Sequence, residues 1–307
     1  MEKLMRNTFI YLSKNRLANR LAKRYGLRLG AQRFVSGETV EAAIERIRRF
    51  NAQGIKATID HLGEFVTTRA EAEAATEAAI QALEALDRSA VDSYLSVKLT
   101  QLGLDIDEAF CLENMTRILT AAKGLGRFVR IDIEDYAHNA ATLRLFRTLI
   151  ERFGPETIGI AMQAYLHKSA KDLEALSVYR PNIRFVKGAY KEPPSIAYPE
   201  KAEVDRNYLR LVETHLVSGN YAAVATHDER IIEHVKAFAE RAGIPKAQFE
   251  FQMLYGIKNE LLAELAREGY AARVYIPYGD DWYGYYMRRL AERPENVLFV
   301  VRSLFRR

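Results

Sequence analysis

The chain has 307 residues, 49% of them hydrophobic and 28% charged, ordinary globular values for a length that buries a sizeable core. Its net charge of +5 is concentrated at the front: residues 1–33 hold nine Lys or Arg against one acid, Glu2, leaving the remainder near neutral. A single cysteine, Cys111, excludes an intramolecular disulfide, no apolar run approaches the ~18 residues that cross a bilayer, and the charged N-terminus is unlike a secretion signal. A cytoplasmic location is expected.

In chain order, Met5, Phe9, Leu12, Leu17, Leu21 and Tyr25 recur at helical spacing among Lys and Arg. Gly37 ends a loop, and Thr39 can cap a helix carrying Val40, Ala43, Ile44 and Ile47. Residues 1–50 therefore read as a helical arm, and 51–307 as a second unit of regular strand–helix pattern. From there, short strand-like runs appear at 57–62, 94–99, 128–133, 157–162, 183–186, 221–225, 249–254 and 272–276. Between them lie helical patterns such as Thr142, Leu145, Phe146, Leu149 and Ile150. Strand alternating with helix implies parallel strands, and eight such units in about 250 residues match a (β/α)₈ TIM barrel. A doubly wound open sheet shows the same alternation, and periodicity alone does not separate the two.

In such a barrel the active site gathers at the C-terminal strand ends. The polar residues at those ends are Asp60 and Glu64, Lys98, then Asp132, Glu134 and Asp135, and Gln163. They continue with Arg184 and Lys187, then Thr226, His227 and Asp228, then Gln252, and finally Tyr275 and Tyr278. A charge such as Lys98 or Asp132 inside an apolar run is costly to bury unless paired. Singly, each reads equally well as an ordinary strand-to-loop transition; eight together point to a site.

Farther on, a Gly-containing turn at 278–281 leads into a helix with several aromatics, adjacent Arg288 and Arg289, and Glu292. Paired guanidinium groups suit a carboxylate or phosphate, while a solvated basic face is the plainer reading of that segment alone. Gly188 in Lys187-Gly188-Ala189 can let backbone approach a ligand. No His or Cys has ligand spacing to His227, and no metal is expected.

Taken together, these segments resemble the monofunctional bacterial proline dehydrogenases. The matching stretches are Asp-His-Leu-Gly-Glu-Phe (60–65), Ser-Val-Lys-Leu-Thr-Gln-Leu-Gly (96–103), Arg-Ile-Asp-Ile-Glu-Asp (130–135) and Gln-Ala-Tyr-Leu (163–166). Beyond these come Arg-Pro-Asn-Ile-Arg-Phe-Val-Lys-Gly-Ala-Tyr (180–190), Ala-Thr-His-Asp (225–228), Phe-Glu-Phe-Gln-Met-Leu-Tyr-Gly (249–256) and Arg-Arg-Leu-Ala-Glu-Arg-Pro-Glu-Asn (288–296). The resemblance implies a distorted TIM barrel with non-covalent FAD at the strand C-termini and the last helix over the barrel mouth. It implies oxidation of L-proline to Δ¹-pyrroline-5-carboxylate, with hydride passing to flavin N5 and electrons to a membrane quinone.

By matching position, Arg288 and Arg289 would bind the proline carboxylate, with Glu292 steadying one of them. Lys98 would add positive field, Asp132 would lie beside the substrate as a candidate base, and Tyr275 with Leu254 would pack on the ring. Ile133 and Gln163 would contact the isoalloxazine, and Arg184 would sit near flavin N5. Lys187, Gly188, Ala189, Thr226 and His227 would follow the ribityl and diphosphate portion. Ile133 stands where Met or Leu is expected, and Asp280 where a basic residue is common, which bears on the active-site lid. The basic arm can meet anionic lipid or form a solvated cap, and a pyrroline-5-carboxylate dehydrogenase is a candidate partner. A folate-reductase-like flavin barrel is the nearest alternative enzyme. A nucleic-acid-binding protein has only the N-terminal charge in its favour, so no nucleic-acid partner is expected.

Overall fold

The structure is a computed structural model that describes residues 31–63 and 66–292. The basic helical segment expected between Met5 and Tyr25, and Glu64 among the strand-end residues, lie outside the described residues. Helix α1 (Val40–Asn51) begins as expected at Thr39, whose hydroxyl oxygen accepts from the Ala42 amide at 3.3 Å. Its Ala43, Ile44, Ile47 and Phe50 form one buried stripe.

Eight strands follow: β1 (Lys56–His61), β2 (Ser93–Val97), β3 (Val129–Ile131), β4 (Ile158–Gln163), β5 (Asn182–Val186), β6 (Ala222–Ala225), β7 (Phe249–Leu254) and β8 (Ala271–Tyr278). Between them run α2 (Arg69–Arg88), α3 (Glu108–Gly124), α4 (Tyr136–Phe153), α5 (Ser169–Leu176), α6 (Lys201–Val217), α7 (Glu229–Arg241) and α8 (Asn259–Arg267). Each strand pairs in parallel with the next, and β8 returns to β1, closing the barrel. Closure removes the open-sheet alternative. The sequence places the eight strands within a few residues. β3 is shorter than its apolar run, while β8 runs on through Pro277, whose carbonyl accepts from the Ser36 amide at 3.0 Å.

The strands alternate in an unusual sense. Outward positions such as Ile59, Leu95, Ile160, Phe185, Phe251 and Val274 are apolar and buried beneath the helices. The intervening positions face the barrel axis and include Asp60, Ser96, Arg130, Arg184, Glu250, Gln252 and Arg273, all buried as well. TIM-barrel interiors are dominated by branched aliphatic side chains. Here the interior is polar, and its charges are held by pairing, as Glu250 with Arg273, or by hydrogen bonds to neutral groups, as Arg130 to Asn182.

Two helices set the shape of the mouth. Helix α1 packs against both β1 and β8, the flank that a helix following β8 would otherwise cover. Helix α9 (Trp282–Glu292) lies elsewhere, in a separate apolar cluster. Its Trp282, Tyr283, Tyr285 and Tyr286 pack with Phe34, Val35, Leu62 and Ile257, the last two from loops at strand C-termini. Helix α9 therefore stands at the mouth of the barrel, as the resemblance implied.

Gly256, just past β7, ties this arrangement together. Its φ is +80°, and a Cβ there would lie 1.8 Å from the Arg33 carbonyl oxygen, so backbone passes against backbone beneath the α9 cluster. Gly256→Ala should lower thermal stability by more than the roughly 1–2 kcal/mol of the left-handed conformation alone, because a backbone oxygen must also move. Calorimetry tests this; an unchanged melting temperature would mean that the segment containing Arg33 does not carry α9.

Candidate active site

The C-terminal ends of the strands open into a cavity of about 830 Å³. Fourteen of the residues singled out from the sequence line it: Lys98, Asp132, Ile133, Gln163, Arg184, Lys187, Gly188, Ala189, Thr226, His227, Asp228, Gln252, Leu254 and Tyr275. They come from loops and strands spread across most of the chain, and the closed barrel brings them to one place. Arg288, Arg289 and Glu292 belong to α9, whose Tyr285 lines the same cavity; their side chains lie outside the described residues.

Asp132, one residue beyond β3, is the hub. Its Oδ1 accepts from Arg184 Nη1 at 2.6 Å, and its Oδ2 accepts from the Tyr275 hydroxyl at 2.6 Å. Lys98 Nζ stands 3.8 Å from Oδ2 and donates to both oxygens of Asp60 at 2.8 Å. Arg184 also donates from Nε to Gln252 at 2.7 Å and from Nη2 to Ser96 at 3.1 Å, and its guanidinium lies 5.1 Å from the Tyr275 ring centre. Every guanidinium nitrogen is thereby anchored.

The charges follow from this pairing. Burial disfavours the Asp132 carboxylate, but Arg184 and then Lys98 outweigh it and hold the group below the usual range. Burial likewise opposes the Lys98 ammonium, yet Asp60 and Asp132 raise it above an ordinary lysine. Tyr275 is pushed well above its usual value by burial and by Asp132, so its hydroxyl remains a donor at neutral pH.

The other lining residues differ. Gln163 is buried; its amide nitrogen donates to the Glu134 carbonyl at 3.0 Å, while its Oε1 is buried without a hydrogen-bond partner. A buried acceptor in a cavity wall calls for a donor from whatever fills that cavity. Gly188 has φ of +118°, and a Cβ there would sit 2.2 Å from the Tyr165 ring, so only glycine leaves this backbone in place. Lys187 pairs with Asp205 at 2.5 Å and Asp228 at 3.0 Å. His227 Nε2 accepts from the Leu254 amide at 3.0 Å, so the neutral ring carries its proton on Nδ1. Thr226 and His227 precede the N-terminus of α7, a natural place for negative charge.

Sequence reasoning missed the layer below. Arg130, Glu250 and Arg273 are wholly buried on β3, β7 and β8, beneath Asp132, Gln252 and Tyr275. The charged-apolar alternation that singled out Asp132 marks Arg130 equally, two residues earlier. Lys201, Arg230 and Lys258 also line the cavity. They stand on helices and a loop, where no strand-end rule looks.

A family model described as proline dehydrogenase matches residues 43–302. Proline dehydrogenase 1 of Bacillus subtilis subsp. natto is 45% identical over 304 residues, covering 99% of this chain and 100% of that protein. The proline dehydrogenase of Deinococcus radiodurans is 44% identical over 309 residues, covering 100% of this chain and 99% of its own. Among solved structures, proline utilization A (PutA) from Bdellovibrio bacteriovorus, inactivated by N-propargylglycine, matches with TM-score 0.81 at 26% identity. That match covers 90% of this chain and 34% of the PutA chain, so this chain spans about a third of that larger protein.

The pairing around Asp132 has a measurable consequence. Lys98→Met leaves Asp60 and Asp132 without their shared cation and should destabilise the protein by about 3–5 kcal/mol at neutral pH. The depressed pKa of Asp132 gives stability that is present above the ordinary carboxylate value and lost as pH falls through the folded value. The gap between wild type and variant should therefore narrow as pH falls below about 4. Urea unfolding at two pH values checks this, and a gap independent of pH would refute the charge assignment.

Proposed function

The chain belongs to the proline dehydrogenase family, and on that premise we propose that it oxidises L-proline to Δ¹-pyrroline-5-carboxylate at the barrel mouth, opening proline breakdown. The observation that carries this reading is the Lys98–Asp132–Arg184–Tyr275 cluster, a preorganised polar set lying beside the apolar Leu254 in one cavity. A small anionic amino acid with an apolar ring needs that combination.

The cavity suits FAD as the cofactor. The unpartnered Gln163 Oε1 fits the N–H of a flavin ring, Gly188 leaves backbone open to a close approach, and the α7 N-terminus with Thr226 and His227 suits a diphosphate. Ile133 would flank the ring, with Lys187 and Ala189 along the chain that joins it to the diphosphate. When bound, the flavin supplies the acceptor for the hydride leaving the ring carbon next to nitrogen.

The protein's part is positioning and field. Arg288 and Arg289 hold the substrate carboxylate, with Glu292 steadying one guanidinium. Tyr275 and Leu254 pack on the pyrrolidine ring, and Lys98 adds positive potential. Arg184 would stand where negative charge develops on reduction of a bound flavin. Asp132, held anionic and already accepting from two donors, is a poor base; it orients Arg184 and Tyr275, and the substrate nitrogen gives its proton to solvent.

Purified protein should show oxidised-flavin bands that bleach when L-proline is added without oxygen. In Arg288→Ala and Arg289→Ala the same bleaching should need about ten- to a hundredfold more proline, the equivalent of roughly 1.5–3 kcal/mol for a charged hydrogen bond. Protein that takes up no flavin even after FAD is added would overturn the proposal.

Electrons then pass to a membrane quinone, and the product to a pyrroline-5-carboxylate dehydrogenase. Among the described residues no helix is long and apolar enough to cross a membrane. The basic stretch at residues 1–33 supplies peripheral contact with anionic lipid. Full-length protein should sediment with anionic liposomes more than protein lacking the first 30 residues, and equal binding would remove this role.

A further inference from the structure

Below the cavity floor lies a carboxylate that the proposed chemistry leaves unused. Glu250 is wholly buried on β7, two residues before Gln252. It accepts from Arg273 Nε at 2.9 and 3.0 Å, from the Tyr221 hydroxyl at 3.1 Å and from Gln252 Nε2 at 2.5 Å. Arg273 also donates to the Ala57 carbonyl at 2.6 Å and lies 3.5 Å from the Tyr94 ring centre.

The Gln252 contact is directional. A carboxylate only accepts, so the Gln252 amide must turn its NH₂ toward Glu250 and its oxygen toward Arg184 Nε, 2.7 Å away. The inverted amide would set oxygen against carboxylate and NH₂ against guanidinium, and lose both bonds. Of the three anchors on Arg184, Asp132 attracts by charge and Ser96 has a rotatable hydroxyl. Gln252 is the one whose sense must be imposed from outside, and Glu250 imposes it.

We propose that Glu250 is a positioning residue for the redox site, fixing the Gln252 amide so that Gln252 holds the Arg184 guanidinium in place against the cavity. This rests on the reading of Arg184 as the neighbour of the flavin's reducible nitrogen. It differs from a purely structural role, in which Glu250 only neutralises Arg273.

The two roles predict opposite signs for the midpoint potential of the bound flavin. If Glu250 acted by its charge alone, Glu250→Gln would remove negative charge near the site and raise the potential. If it acts through Arg184, the loosened guanidinium stabilises reduced flavin less, and the potential falls. We expect a fall in the holoenzyme corresponding to about a tenfold change in the reduction equilibrium, or ~30 mV for a two-electron couple. A crystal structure of the variant should show the Gln252 amide and Arg184 displaced.

Glu250→Gln/Arg273→Met removes both charges together and leaves the local sum unchanged, so it should show the same fall and decides the matter if the single variant does not fold. Gln252→Leu leaves the Glu250–Arg273 pair intact and should also lower the potential. An unchanged or raised potential in these folded variants would overturn the proposal. Arg184→Lys separates the two levels: if it moves the potential while the Glu250 variants do not, only this inference falls. If Arg184→Lys leaves the potential unmoved, the placement of Arg184 beside the flavin is wrong.

Discussion

Asp132 is the joint on which the mouth of the barrel depends. Its carboxylate receives Arg184 from β5 and Tyr275 from β8 and lies within ion-pair range of Lys98, just past β2, which in turn grips Asp60 on β1. A half-buried carboxylate so placed is costly alone and stable only when its partners stay. Geometry at the cavity floor is thus over-determined: any partner that moves takes away a donor or a cation that stabilises a carboxylate. That rigidity suits a reaction whose rate comes from holding two small molecules and a field in register.

The polar interior extends the same logic downward. Asp132, Arg184, Gln252, Glu250 and Arg273 form one hydrogen-bonded column from the cavity toward the opposite end of the barrel. Arg130 stands alongside, bonded to Asn182 and to two main-chain carbonyls, with burial and the Arg184 charge pushing its pKa down to about 9. An aliphatic core would pack at least as well, and replacing buried ion pairs with apolar groups is often neutral or stabilising. Charge in the interior is better understood as serving the site above it.

Architecture and site are also linked through the ends of the barrel. With α1 on the flank shared by β1 and β8, α9 stands at the mouth, and its aromatic first turns seal one side of the cavity against Phe34, Leu62 and Ile257. The helix that includes positions 288 and 289 thereby stands at the barrel mouth instead of in the outer shell.

Much of this was legible in the sequence. The alternation of eight apolar runs with helical patterns gave the strand count and nearly the strand limits, because period and turn residues are local properties. The strand-end rule picked out Lys98, Asp132, Gln163, Arg184, Thr226 and Tyr275, because a charge or amide inside an apolar run has few structural excuses. Resemblance supplied the roles that spacing could not. What the sequence left open was closure, since an open sheet has the same periodicity and only the β8–β1 pairing excludes it. Glu250, Arg273 and Arg130 were passed over because depth along the barrel axis depends on strand register, which no linear pattern carries. The partner of each charge, and hence which carboxylate is an anchor and which amide a relay, was decided by tertiary structure alone, because side-chain hydrogen bonds and ion pairs act over a few ångströms between residues up to 241 positions apart.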